Sequence, residues 1–344
     1  MPAKKKKVPR NWSRLSKERL LQLRICDLGL SIERSPLKVP LQQLYRELEK
    51  KQMRFKPHVW LSDEWFSPDG IPGFAIPFFL AHARLRRLER EFMLEIEGGD
   101  RAWCMKLMRH ETAHALLNAY RLDQRRDWKQ TFGRPSIPYP DTYLPKPYSK
   151  SYVRNLPNWY AQSHPHEDWA ETFAVWLDPR SDWQRRYRNW PALKKLRYVD
   201  ALMQDIHDKP PRLRNRQTDT PVDKIRMTLE EYYNDKLYRY GMDSPEFSDA
   251  DLTRLFSAEQ EYRQNEKASK YIRRHRRELT TTVERWTYEY RYRINEVLND
   301  MIKRCDEMNL HVTGADEEIR PELTACLTML VMSKLHSGGF HIAL

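Results

Sequence analysis

Most of the chain carries the hydrophobic pattern of amphipathic α-helices, with apolar residues three or four positions apart. The segment 102–122 is predicted as one long helix, and Gly99 and Asp100 before it are helix start signals. The predicted helices cover residues 15–23, 41–51, 102–122, 167–177, 191–204, 223–239, 248–277, 278–308 and 321–335. This pattern predicts a mainly α protein.

A different pattern fills residues 57–99, where short apolar runs are separated by turn residues. The runs 58–61, 73–76 and 92–96 have the length of strands, and turn signals rich in proline and glycine lie around them. No other part of the chain predicts a sheet. The predicted fold class is therefore mainly α (α+β), with a small β-sheet packed on helix 102–122 and an all-α C-terminal region.

Shifts in composition predict how the chain is divided. Residues 1–15 begin with a lysine run and predict a disordered basic tail. Residues 207–222 hold three prolines among polar residues and predict a linker, which would separate a domain of residues 16–206 from a helical accessory domain of residues 223–344. Residues 131–159, rich in proline and tyrosine, form an irregular stretch long enough to predict a functional loop.

The bulk composition is that of a globular protein. Its 344 residues allow one large or two ordinary domains, and an aromatic content of 12% excludes a disordered chain. The formal net charge of +13 favours acidic partners such as nucleic acid, anionic lipid or acidic proteins, without choosing among them.

The cysteines and the apolar stretches indicate in which cellular compartment the protein is located. Cys26, Cys104, Cys305 and Cys326 are widely spaced and form no CxxC pair, which excludes a disulfide framework and a thiolate zinc site. A reducing compartment fits best, so we predict a cytoplasmic protein. The N-terminal lysine run precedes no apolar stretch of a secretory signal, and the longest apolar stretch, 71–81, is too short to span a bilayer. No membrane insertion is therefore expected.

The main candidate for chemistry is the sequence His110-Glu111-Thr112-Ala113-His114. Residues four apart on an α-helix lie on one face, so the imidazoles of His110 and His114 can reach the same ion. Glu111 would lie beside that ion and could take a proton from a bound water. The alternative is a pair of structural histidines on a packed helix.

A catalytic zinc takes three protein ligands and keeps one position open. One known arrangement requires glycine and histidine where Leu117 and Tyr120 stand, so it is excluded. The other common arrangement uses a glutamate from a later helix, and Glu167 and Glu171 share one face of the predicted helix. Two buried carboxylates need a positive charge beside them. We therefore predict Glu167 as the third ligand and Glu171 as the hydrogen-bond partner of a ligand imidazole; an exposed acidic face is the alternative.

These residues resemble the gluzincin-type HExxH zinc peptidases. The stretches 109–114, 159–171 and 72–79 look like those of a bacterial group of zinc-binding metallopeptidases, and the pattern is similar to the catalytic domain of anthrax lethal factor. The resemblance covers roughly residues 30–205 and departs at Ala113, where many relatives carry glycine; alanine suits a helix better. It implies a zincin-like catalytic domain with one Zn²⁺ per chain and a peptide or protein substrate.

The resemblance also implies roles for residues around the third ligand. Tyr160, seven residues before Glu167, is implied as the donor that stabilises the oxyanion, with a packed aromatic side chain as the alternative. Position in the sequence, and not the resemblance, makes His164 and His166 candidates for the substrate rim, since they flank the third ligand; metal ligation is the alternative.

The C-terminal third suggests a rival function. Its basic run is interleaved with aromatic residues, a combination that can bind phosphates and stack on bases. The candidate patch for nucleic acid or an acidic partner consists of Arg273, Arg274, Arg276 and Arg277. Its alternative is a solvated helix face. Two classes therefore compete: a zinc peptidase, and a non-catalytic regulatory or binding protein in which the zinc site is structural or degenerate.

Overall fold

The computed structural model describes residues 11–239 and 249–336, apart from positions 141, 142, 144, 147 and 158, and describes side chains as far as residue 332. The predicted mainly α class is confirmed. The helices are α1 (Lys17–Leu21), α2 (Lys38–Lys50), α3 (Ala83–Met93), α4 (Arg101–Tyr120), α5 (Arg126–Phe132), α6 (Pro165–Leu177), α7 (Trp183–Arg186), α8 (Ala192–Ile206), α9 (Leu229–Arg239), α10 (Asp249–Thr253), α11 (Ala268–Thr287), α12 (Arg291–Glu307) and α13 (Asp316–His336). The strands are β1 (His58–Ser62), β2 (Gly73–Pro77), β3 (Phe256–Ser257) and β4 (His311–Val312).

The described chain falls into two compact units. The first holds residues up to 91 and residues 96–234, and the second holds residues 92–95 and those from 235 onward. The segment predicted as a linker makes hydrogen bonds within the first unit, where Val222 N donates to Leu61 O at 2.8 Å. The domain limits drawn from composition stay a prediction, and the compact units divide near residue 234.

The predicted basic tail lies mostly outside the described residues. Its described part differs from a disordered segment, because Trp12–Arg14 forms a short 3₁₀ helix in which the Trp12 indole is buried and donates to Leu28 O at 3.0 Å. The buried ring with its satisfied N–H group holds this short segment against the core.

Strands β1 and β2 pair in parallel, with Trp60 opposite Ala75, and β2 packs on helix α4. Gly73 begins β2 at a point where a Cβ atom would lie 2.5 Å from His58 O, so only glycine allows this approach. The far side of β2 is partly paired as well, since Ala75 N donates to Phe66 O at 2.8 Å. The small sheet predicted to pack on the long helix is therefore confirmed.

The predicted third strand, residues 92–96, is wrong. Helix α3 runs through Met93, and its buried residues Leu85 and Leu88 set a helical spacing that the apolar run after them continues. Leu94 then adopts a left-handed backbone conformation with φ of 61°, which ends the helix. A short apolar run fits a helix end as well as a strand, and here its neighbours decide.

Helix α4 lies at the centre of the first unit. Its N-terminus is capped by Asp100, whose carboxylate accepts a hydrogen bond from Trp103 N at 2.9 Å. Buried residues occur on nearly every face of this helix, and the polar residues 109–112 are among them. Because buried polar groups need partners, the surrounding elements must supply them.

Helix α6 packs directly on α4. It begins at Pro165, a residue suited to the first turn of a helix, and its N-cap is His164, whose Nδ1 accepts from His166 N at 3.1 Å. The buried Trp169 indole donates to Ala113 O at 2.9 Å and ties the two helices together. The two helices that carry the predicted ligands are thus joined by both packing and a hydrogen bond.

A buried ion pair fixes the same part of α4. The Arg109 guanidinium, 2% exposed, donates through Nε and Nη2 to the two Glu47 carboxylate oxygens of α2, each at 2.8 Å. Its Nη1 lies 3.1 Å from Asp178 Oδ2 at the end of α6. One side chain therefore connects three helices. Its bidentate hydrogen bonds to the Glu47 carboxylate require a guanidinium group, so lysine could not replace it.

Replacing Arg109 with methionine is expected to destabilise the first unit by about 3–5 kcal/mol, because the Glu47 carboxylate would stay buried without its partner. Urea unfolding followed by tryptophan fluorescence measures this loss. The double variant Arg109→Met/Glu47→Leu is the matched control and should recover most of it. A single variant that loses less than about 1 kcal/mol would show that water reaches Glu47.

The second unit is helical, with α11, α12 and α13 around a common apolar core. The predicted break after residue 277 is wrong, since α11 continues to Thr287 and ends at Tyr288 with φ of 60°. The buried residues Leu279 and Val283 continue the apolar face past the basic run. The region also holds β3 and β4, a two-residue antiparallel pair that the sequence pattern did not predict.

No helix in the described part of the chain is both long and apolar enough to cross a membrane.

Candidate metal centre

Three predicted ligands meet between α4 and α6. His110 Nε2 lies 3.1 Å from His114 Nε2 and 3.0 Å from Glu167 Oε2, and the third side of the triangle, His114 Nε2 to Glu167 Oε2, measures 3.4 Å. Among the described residues, no second group of three such side chains could hold a metal ion. The first and second histidines and the distant glutamate are therefore brought together as predicted.

The size of this triangle fits zinc. Bonds of about 2.0–2.2 Å from a tetrahedral zinc to nitrogen and oxygen place neighbouring ligand atoms about 3.3–3.6 Å apart. The observed edges of 3.0–3.4 Å lie at or slightly below this range. The three ligand atoms would form one face of a tetrahedron around a zinc ion, and the fourth ligand position would stay free.

The hydrogen bonds around His110 also favour a cation. Its Nδ1 lies 2.9 Å from Glu171 Oε1, which as a carboxylate oxygen can only accept, so Nδ1 carries the proton of the neutral ring. Nε2 then presents a lone pair toward the triangle. Glu167 Oε2 is buried there and has no hydrogen-bond partner among the described residues. Lone pairs facing one another in a buried space need a positive charge between them.

The electrostatics of the site agree with this need. Burial opposes a charge on His110, but the nearby carboxylates of Glu167 and Glu171 outweigh burial and raise the pKa of His110 well above its ordinary value. Burial also opposes a charge on Glu167, yet the charges of His114 and His110 lower the pKa of Glu167 well below its usual range. The carboxylates that favour a second proton on His110 would equally favour a divalent cation, which would take the place of that proton on Nε2.

Glu171 lies where a partner of a ligand imidazole should lie. Besides His110 Nδ1, its carboxylate accepts from Asn155 Nδ2 at 2.8 Å and from Leu156 N at 2.7 Å. The residue is 1% exposed, so these three donors stabilise a charge that burial would otherwise disfavour. Asn155 was missed by the sequence interpretation, since a lone asparagine in an irregular segment gives no signal.

Glu111 is buried beside the triangle, with 6% of its surface exposed. Burial raises the pKa of its carboxyl group, and the charges of His110 and His114 partly oppose that effect. Its position next to a ligand on the same helix suits a group that takes a proton from a metal-bound water.

The other predicted residues lie close to the ligands. The Tyr160 ring centroid is 5.7 Å from that of His110. His164 is buried rather than at a rim, with Nε2 donating to Ile137 O at 2.8 Å. His166 is half-buried, with Nε2 3.8 Å from Asp123 Oδ2. The proposed roles of these residues in catalysis and substrate binding stay predictions.

Tyr139 is a residue at the site that sequence reasoning missed. Its hydroxyl donates to Glu167 Oε1 at 2.8 Å, whereas the contacts with the two imidazoles are made by Glu167 Oε2. Burial and the negative charge of Glu167 raise the pKa of Tyr139, so the hydroxyl stays a donor. The proline- and tyrosine-rich segment was predicted to be functional, but nothing in its spacing singles out one of its tyrosines.

The basic residues of the second unit lie along α11, and part of their charge is paired. Arg273 Nη2 lies 2.9 Å from Asp306 Oδ2, and Arg274 Nη2 lies 2.7 Å from Glu266 Oε2. Arg276 is half-buried, and Arg277 is exposed. Nucleic acid or an acidic protein as a partner of this patch stays a prediction, weakened by the two ion pairs.

Two histidines one helical turn apart and a glutamate from a second helix define a site of the class used by zinc-dependent hydrolases. Residues 100–187, which carry all three predicted ligands, match the family model described as "Putative zinc-binding metallo-peptidase". The resemblance drawn from the residue pattern is confirmed for this segment. No curated protein and no solved structure matches the chain.

Proposed function

We propose that the protein is a zinc-dependent peptidase that cleaves an amide bond of a peptide or protein substrate with a metal-activated water. The triangle formed by His110, His114 and Glu167 is the observation that carries this proposal. The family match of residues 100–187 supports it independently.

In the proposed mechanism, a zinc ion held by these three side chains would lower the pKa of a bound water and polarise the scissile carbonyl. Glu111 takes the proton from that water and passes it to the leaving amine. Burial suits Glu111 to both steps, because it raises the pKa of the carboxyl group. Tyr160 donates a hydrogen bond to the oxyanion, a role supported by its position beside the His110 ring.

Removal of the metal tests this proposal most directly. The purified chain is expected to hold one zinc ion, and a chelator should remove both the zinc and the hydrolysis of an unfolded protein substrate. Addition of zinc to the dialysed apoprotein should restore the activity. Elemental analysis and a cleavage assay by mass spectrometry measure the two quantities, and hydrolysis that survives complete removal of metal would contradict the proposal.

The same measurements separate the peptidase from a non-catalytic binding protein. A chain that binds zinc firmly but hydrolyses nothing, and that binds nucleic acid with a strong salt dependence, would favour the rival function.

Four free cysteines support a reducing, cytoplasmic location for the peptidase.

A further inference from the structure

Tyr139 contacts the metal ligand from outside the two ligand helices. Its hydroxyl donates to Glu167 Oε1 at 2.8 Å, while Glu167 Oε2 lies 3.0 Å from His110 Nε2 and 3.4 Å from His114 Nε2. The two oxygens of one carboxylate therefore have separate partners. Oε1 is held by the hydroxyl, and Oε2 is the oxygen that contacts the two imidazoles.

The Tyr139 ring is itself held in place by His164. The two rings stack with centroids 3.8 Å apart and planes within 18° of parallel. The His164 ring is fixed at both nitrogens, since Nδ1 accepts from His166 N and Nε2 donates to Ile137 O. The bond to Ile137 O also ties down the chain two residues before Tyr139.

We propose that Tyr139 is a positioning residue that keeps Glu167 a one-oxygen metal ligand, and that His164 fixes Tyr139 for this purpose. The inference rests on the proposed zinc site. It gives the proline- and tyrosine-rich segment a definite task in metal binding, which neither the family match nor the ligand triangle assigns. Hydrogen bonds of this kind to ligating groups restrict their orientation and so strengthen metal binding.

The substitution Tyr139→Phe removes the hydroxyl and little else. The residue is 44% exposed, so the loss of one oxygen should leave the fold intact. Competition with a chelating dye is expected to give a zinc dissociation constant about 10–100-fold higher than that of the unmodified protein. The visible spectrum of the cobalt(II)-substituted protein should also change, because Glu167 Oε1 becomes free to approach the metal.

Tyr148→Phe is the matched control. Tyr148 is an exposed tyrosine in the same segment, and its ring packs near Trp159 and the Arg154 guanidinium. The zinc affinity and the cobalt spectrum of the Tyr148→Phe variant should equal those of the unmodified protein. A change as large as that of Tyr139→Phe would overturn the assignment to one hydroxyl.

His164→Asn tests the second half of the proposal. Asparagine can still cap α6, so the helix start should persist while the stacked ring is lost. Zinc should again bind more weakly, and the double variant Tyr139→Phe/His164→Asn should be no weaker than the poorer single variant, because both changes act through one hydrogen bond. Fully additive losses would overturn the link between His164 and Tyr139.

The proposal fails if Tyr139→Phe binds zinc within twofold of the unmodified protein and keeps its cobalt spectrum. That result is distinct from failure of the proposed function, in which the unmodified chain itself holds no zinc or shows no zinc-dependent hydrolysis. A chain without zinc would overturn both.

Discussion

Replacing Glu111 with glutamine is expected to leave zinc bound and to reduce hydrolysis by about 10²–10⁴-fold, the usual contribution of a general base. Glutamine has nearly the same size and can stay in the buried position beside the ligands, but it cannot take a proton at neutral pH. The metal site and the fold should therefore survive the change. Zinc content, the thermal unfolding midpoint and the rate of substrate cleavage measure the three consequences separately.

The most informative form of this experiment incubates a whole proteome with the unmodified chain or with Glu111→Gln and compares the peptide bonds that are cleaved. Cleavage sites that appear with the unmodified chain and disappear with Glu111→Gln identify substrates and exclude a contaminating protease. His110→Ala serves as the second reference, since it should lose both zinc and hydrolysis. Unchanged cleavage by Glu111→Gln would refute the assignment of the base, whatever the metal content.

Replacing Glu167 with alanine is expected to weaken zinc binding by more than about 100-fold, a larger loss than removal of a residue outside the ligand set typically gives. Glu167 Oε2 is buried at the triangle without a hydrogen-bond partner among the described residues, so its removal takes away one of the three proposed ligand atoms. Equilibrium competition with a chelating dye measures the loss, and hydrolysis should fall with the metal.

Glu171→Gln is the matched comparison. Glu171 holds His110 through Nδ1 but offers no oxygen to the triangle, so its loss should weaken zinc binding by about 10–100-fold only. The order of the two variants is the decisive result. If Glu171→Gln binds zinc more weakly than Glu167→Ala, the two glutamates have been assigned in the wrong order.

The cluster of His110, His114 and Glu167 could be predicted because each part of it depends on a regular helix. Four-residue spacing alone places His110 and His114 on one face, and the same rule places Glu167 and Glu171 together. The fit of the third ligand then followed from the chemistry of zinc. The helices predicted at 102–122, 167–177 and 191–204 also lie close to their observed bounds, since burial of their apolar residues decides their conformation.

The wrong or missing predictions concern residues that no regular helical spacing governs. Tyr139 and Asn155 reach the site from an irregular segment, where no period relates position in the chain to position in space. The run 92–96 was assigned to a strand because five residues cannot distinguish a strand from a helix end. The break at Tyr288 was missed because a non-glycine residue adopts a left-handed conformation there, which sequence patterns seldom indicate.

The buried guanidinium of Arg109 has a consequence for how the protein acquires its metal. The residue before the first ligand is anchored to α2 and to the end of α6 by bonds that require no ion. The empty protein is therefore expected to be a folded receptor, and not a chain that collapses around its metal as small zinc domains do. Its gain in stability on loading should follow mass action, rising with the logarithm of free zinc concentration.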